Sequence, residues 1–184
     1  MLRRFAVGAG LMALAALASA GELAGVTVPA TATVGGQQLV LNGLGLRKKA
    51  IFSVYVGALY LPARSSDPAA IIALEAPKRM EMHFVRDVGK DKIAEGWRDG
   101  FANNSGDRLP ALQQRLDEFA GKWPDMVSGD MAAMTYAGGG ILKLEIRGQE
   151  VGAFQGKEFA DAVFACWLGS TPPSEDLKKG LLGK

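Results

Sequence analysis

Residues Ile51 to Leu61 (Ile51-Phe52-Ser53-Val54-Tyr55-Val56-Gly57-Ala58-Leu59-Tyr60-Leu61) are apolar on both alternating faces. A strand with no wet side must be covered on both sides, so this run predicts a central strand with material above and below it. Tyr55 and Tyr60 lie five apart on it and therefore point to opposite faces. A buried tyrosine hydroxyl needs a partner, which is either backbone or a ligand.

The flanking sequence sets the class. Short β-branched runs at Val26–Val28 and Ala30–Val34, the turn pair Gly35-Gly36, and Gln38–Leu41 precede the central strand. Asp67-Pro68 is an N-cap followed by proline at N1, opening a short helix through Glu75 that Pro77 closes. Lys78 to Val85 alternates, with Met80, Met82 and Phe84 on one face and Glu81, His83 and Val85 on the other. Ile93, Trp97 and Phe101 make one helical stripe over Asp91–Ala102. Leu109, Leu112, Leu116, Phe119 and Trp123 make another. Strands at Met131–Tyr136 and Ile141–Ile146 flank the hairpin loop Ala137-Gly138-Gly139-Gly140, and a short strand follows at Val151–Phe154. Two last helices are predicted at Lys157–Leu168 and Glu175–Leu182. Strands, helices, strands and helices in that order predict an α+β domain, an antiparallel sheet with helices packed on one face.

The first residues have another logic. Arg3-Arg4, an apolar run from Phe5 to Leu17 and Ala18-Ser19-Ala20 form the cationic head, apolar core and small-x-small end of an export signal. The reading is a signal peptide over 1–20, cleaved after Ala20, and one domain over 21–184, periplasmic or secreted and without a stable membrane anchor. The chain holds 21 Lys+Arg and 19 Asp+Glu; loss of Arg3 and Arg4 leaves 19 of each sign. A neutral chain without a basic, aromatic-interleaved run does not suit nucleic-acid binding.

Single residues close off further chemistries. Cys166 is the only cysteine and lies in the apolar stretch Ala162–Leu168, so a buried structural thiol is favoured over a nucleophile and no internal disulfide can form. His83 is the only histidine, and its strand position reads as a rim or solvent side. No metal site and no cofactor is expected. Gly43-Leu44-Gly45-Leu46-Arg47-Lys48 lacks the third glycine, the Lys-Ser/Thr and the helix of a phosphate loop; a glycine-bent strand fits better. Arg47 itself stays open: its guanidinium could hold a carboxylate bidentately or sit on a wet edge beside Lys48 and Lys49. Asp130 and Thr135-Tyr136 could line a pocket, but Ser128-Gly129-Asp130 is foremost a turn.

Several segments in order carry a resemblance: Gly43–Lys49, Val54–Leu61, Gly96-Trp97-Arg98-Asp99-Gly100-Phe101, Gly129-Asp130, Gly148–Gly152, Phe159–Gly169 and Leu177–Gly183. Together they resemble the chalcone-isomerase-like family, in its bacterial exported branch. That resemblance implies an open-faced β-sandwich, a large curved antiparallel sheet backed by helices. It also implies either ring-closing isomerisation of chalcones or binding of fatty acids in the equivalent cleft. The family's cleft arginine matches Arg47, and its strand threonine falls near Tyr55. Its helix lysine matches Lys92, and its late Ser/Thr falls on Cys166. The tyrosine and asparagine expected near the lysine fall near Gly89 and Gly96. With most polar donors missing, the expectation is a ligand site of Arg47, Tyr55, Tyr60 and Cys166 for a small amphipathic acid such as a fatty acid, without efficient catalysis. An intramolecular lyase using Arg47 and Lys92 is the first alternative. A periplasmic accessory protein that binds a partner through an exposed Met80-Met82-His83 region or an outer helix is the second.

Overall fold

The computed structural model describes residues 19–184, so the leader reading over 1–20 lies outside them but for its last two positions. Strands β1 (Ser19–Leu23) and β2 (Val26–Pro29) pair as a small antiparallel sheet. The main sheet follows: β3 (Thr31–Val34), β4 (Gln37–Lys49), β5 (Phe52–Leu61), β6 (Lys78–Phe84), β7 (Met131–Tyr136), β8 (Ile141–Ile146) and β9 (Gln149–Gln155). Its seven strands are antiparallel and stand in sequence order. Helix α1 (Pro68–Ala73) joins β5 to β6, while α2 (Lys90–Ser105) and α3 (Leu109–Gly121) join β6 to β7. Helices α4 (Lys157–Leu168) and α5 (Glu175–Leu181) end the chain.

The demand made by the central strand is met on both sides. Tyr55, Leu59 and Leu61 of β5 join Met80, Met82 and Phe84 of β6 in the main core beneath the helices. Ala58 and Tyr60 face the other way, into a smaller core with Val28, Leu39 and Leu41 under the β1–β2 sheet. The α2 stripe (Ile93, Trp97, Phe101) and α4's Phe159, Val163, Phe164 and Trp167 are buried as the spacing predicts. Trp97 packs edge-on against Phe119 and Trp167, so three helices share one aromatic contact.

Several features depart from the sequence reading. β9 begins at Gln149 rather than Val151, because a register shift between Leu144 and Glu145 lets Glu150 and Gln149 continue the ladder. Helix α1 stops at Ala73. Lys78, fully buried, turns its ammonium back to the carbonyls of Ile71 (3.1 Å) and Ile72 (2.5 Å), ending the helix before Glu75. Burial, then repulsion by Lys157, lowers the Lys78 ammonium to about 8 against the attraction of Asp161. Met80 and Met82 are buried in the main core, so the expected exposed methionine patch does not exist.

The outer face of β6 is also less wet than alternation suggests. Glu81 is buried, accepting from Arg79 Nε at 2.8 Å and lying 2.9 Å from His83 Nε2. Arg79 also donates to Thr135 Oγ1 and Glu145. Burial pushes the Glu81 carboxyl up, but the hydrogen bonds of His83 and Arg79 outweigh it and hold it below the usual range.

The Gly43-x-Gly45 pair has a packing cause. On β4 the inner-facing positions run Gly43, Gly45, Arg47, and α5 lies directly on the two glycines. A Cβ at Gly43 would collide with the carbonyl oxygens of Gly180 and Leu181, and one at Gly45 with that of Leu177. Asn42, at the register shift between Leu41 and Gly43, fixes the end of α5 by donating to Leu181 O at 2.8 Å. Arg47 is the next inner-facing position on β4 after the glycines under α5.

Candidate functional site

Beyond the edge of α5 the sheet and helices part and leave a cleft of about 390 Å³. This lies in the range of about 300–1,000 Å³ usual for small-molecule sites. Its sheet side is Arg47, Val54 and Tyr55 from the β4–β5 hairpin with Met82 and Phe84 of β6; its helix side is α2 from Lys92 to Asn103. Cys166 and Trp167 of α4 and the Thr171-Pro172-Pro173 loop bound the remaining wall.

Arg47 and Tyr55 sit opposite each other in the β4–β5 ladder, so register brings the two candidate donors together. Trp167 Nε1 lies 3.0 Å from the Tyr55 hydroxyl. An indole nitrogen only donates, so the tyrosine oxygen accepts here and its own proton has no protein acceptor among the described residues. Burial pushes the Tyr55 phenol up to about 12, against smaller downward pulls from Trp167 and Arg47. At physiological pH Tyr55 is a neutral group that can donate one hydrogen bond into the cleft.

Arg47 is half-buried at the rim rather than enclosed beneath the helices, and its Nη1 donates to the Lys48 carbonyl oxygen. No carboxylate of the described residues pairs with it. Lys92 also lines the cleft, but its ammonium is 2.7 Å from Glu95 and largely exposed. The hydrogen bond to Glu95 raises its pKa, which keeps it a fully charged ammonium and no base. With Lys92 and Glu95 mutually neutralised, Arg47 and Lys49 face Asp99 at the mouth, a small surplus of positive charge.

Cys166 is buried on the cleft wall, with Sγ 3.4 Å from Ala162 O. Burial moves its thiol far above the usual range, which leaves a packing group and not a nucleophile. It fits against α2 because residue 100 is glycine; a Cβ there would lie 2.8 Å from the sulfur. Gly96 is different. It lines the cleft, and a Cβ on it would meet nothing within 4 Å.

Of the four expected ligand residues, the cleft therefore gathers Arg47, Tyr55 and Cys166. Tyr60 is excluded: it lies across the sheet and donates to Pro29 O at 3.1 Å. Residues missed in the sequence are Trp167, which orients Tyr55, and Asn103 and Thr171, which add polar edges. The Trp167–Tyr55 contact spans 112 positions, so no local pattern announces it. Among the described residues no His/Cys/Asp/Glu group has the makings of a metal site.

A search of curated proteins finds no match to this chain. The structure resembles the crystal structure of a fatty-acid binding protein of Arabidopsis thaliana (AtFAP1), with a TM-score of 0.67 at 16% identity over 86% of this chain and 92% of the other. The family model for chalcone isomerase-like proteins matches residues 20–183. With the curled seven-stranded sheet and its helical cover, that match shows that this chain belongs to the chalcone isomerase-like family.

Proposed function

We propose that the protein binds a small amphipathic acid, such as a long-chain fatty acid, in this cleft and does not turn it over efficiently. The observation that carries the reading is the pairing of two unused donors at one end of an apolar hollow. Among the described residues Arg47 has no carboxylate partner and the Tyr55 proton has no acceptor. A carboxylate offers four lone-pair sites and can take both donors. The tail would run against Val54, Met82, Phe84, Ile93 and Trp97. The likeness to the plant fatty-acid binding protein supports the ligand class.

The residues favour binding over ring closure. Catalysis of an intramolecular lyase type needs donors placed where negative charge develops, and loss of one such donor typically costs about 10²–10³ in rate. Here Lys92 is engaged with Glu95, and positions 96 and 166 carry a glycine and a thiol in place of polar donors. We further propose that the protein belongs to an exported branch of the family and acts in the periplasm or outside the cell, on the strength of the Arg3-Arg4, apolar and Ala18-Ser19-Ala20 pattern.

The test is a delipidated preparation titrated with palmitate and followed by thermal unfolding and tryptophan emission, since Trp97 and Trp167 line the cleft. A saturable rise in Tm is expected, lost in Arg47→Ala and kept in Lys92→Ala. Gly96→Leu should fill the hollow and abolish binding while the protein stays folded. Turnover of a chalcone that disappears in both Arg47→Ala and Lys92→Ala would instead establish the isomerase reading.

A further inference from the structure

The mouth of the cleft carries an apolar tip that folding does not explain. Ile51 is 86% exposed and Phe52 53%, and with Val127 they are the large hydrophobic side chains left open among the described residues. All three stand at one end of the sheet. Ile51 and Phe52 form the β4–β5 hairpin apex, and Val127 lies in the loop whose Gly129 N donates to Phe84 O, with Phe84 facing Tyr55 across the ladder. Lys49 pairs with Phe52, so the turn is only Ala50-Ile51, and Ala50 holds φ +52°. Such a position usually takes glycine or asparagine, and such an apex is usually polar. Here it presents an isoleucine that touches no core.

Around the tip the charge is positive. Arg47, Lys48 and Lys49 are on the hairpin, and the Arg86 guanidinium lies 4.5 Å from the Phe52 ring centre. Of the nearby carboxylates Glu95 holds Lys92, while Asp87 (accepting from Ser128 N at 2.9 Å), Asp125 (accepting from Lys90 N at 2.8 Å) and Asp99 at the mouth keep their charge, so Arg47, Lys48, Lys49 and Arg86 leave a small positive surplus. Exposed aliphatic and aromatic groups collared by Lys and Arg match the boundary between anionic headgroups and acyl chains. A protein interface is the weaker match, because lysine is depleted there.

We propose that the β4–β5 hairpin docks on an anionic lipid bilayer, with Ile51 and Phe52 entering the interface and Lys48, Lys49 and Arg86 meeting lipid phosphates. Docking would set the open mouth of the cleft, at Arg47 and Lys49, against the membrane. Of the docking residues only Lys49 also lines the cleft, and the vesicle experiment is run without fatty acid, so each reading can fail alone.

The experiment places an environment-sensitive fluorophore on Ile51→Cys in the full chain; buried Cys166 should stay unlabelled, as wild-type protein checks. A control label goes on Gln38→Cys at the far end of β4, roughly 35 Å away at about 3.3 Å per residue. With phosphatidylglycerol-containing vesicles, the Ile51 label should shift to the blue and be quenched by nitroxide-bearing lipid, while the Gln38 label stays aqueous. Pure phosphatidylcholine or about 1 M salt, where the Debye length is about 3 Å, should abolish the shift. Lys48→Glu with Lys49→Glu should weaken partitioning roughly ten-fold or more. This positional readout separates the hairpin from any other part of the chain that meets lipid. The proposal is overturned if the Ile51 label stays aqueous on anionic vesicles. It is equally overturned if both labels respond alike, or if the Ile51 label becomes buried without vesicles as protein concentration rises, which would mark a second copy of the chain as the occupant.

Discussion

Tyr55 and Tyr60 share one strand and are both more than nine-tenths buried, yet their hydroxyls differ in what they have left to offer. On the outer face Tyr60 donates to Pro29 O and locks the β1–β2 sheet to the main one. On the inner face Tyr55 accepts from Trp167 and, among the described residues, its proton has no acceptor beside Arg47 and an open hollow. The same contrast separates the outer Arg79–Glu81–His83–Glu145 network, whose side chains are joined to one another, from the cleft mouth, whose Arg47 has no carboxylate partner among the described residues. Burial alone does not mark a ligand site. Unmet hydrogen-bonding capacity next to empty volume does.

The largest effect should come from testing the two kinds of inner-face glycine. Gly43→Val drives a side chain into the backbone of α5 and should cost at least about 3 kcal/mol by urea denaturation. Gly96→Ala, with open space before it, should stabilise α2 by about 0.5–1 kcal/mol. Equal losses at both positions would mean that the hollow is not there.

Next is the tyrosine pair. Tyr55→Phe leaves the Trp167 indole proton without a partner, costing about 1–3 kcal/mol, and should also weaken fatty-acid binding. Tyr60→Phe should cost about 1 kcal/mol and leave affinity unchanged. Affinity lost on both faces would break the distinction.

A third effect is read by pH. The unfolded chain holds the Lys78 proton up to about 10.5, while the folded one releases it near 8. Between those values the unfolded state carries the extra proton, so stability should rise as pH increases from about 8 to about 10. Above that, Tyr55 ionises first in the unfolded chain, its folded pKa being raised to about 12, and the trend reverses. Lys78→Met should flatten the rise.

How far the sequence carried these conclusions depended on range. The two-sided cover of β5, the opposed tyrosines and the helix stripes at Ile93-Trp97-Phe101 follow from local periodicity, and the structure agrees with them. The glycines of Gly43-x-Gly45 were readable as a bend but not as a seat for α5, because Gly180 lies far along the chain. Arg47 and Tyr55 could be named singly, whereas their cross-strand pairing required the hairpin register. Lys78 gave no signal at all. A lysine opening a strand looks solvated until the end of α1 folds over it.

The central claim is most directly tested by the structure of the protein crystallised with palmitate. The account predicts the carboxylate within hydrogen-bonding distance of both the Arg47 guanidinium and the Tyr55 hydroxyl, with the chain running toward Trp97. Palmitate seated elsewhere, or held in this cleft with its carboxylate away from both groups, would contradict it.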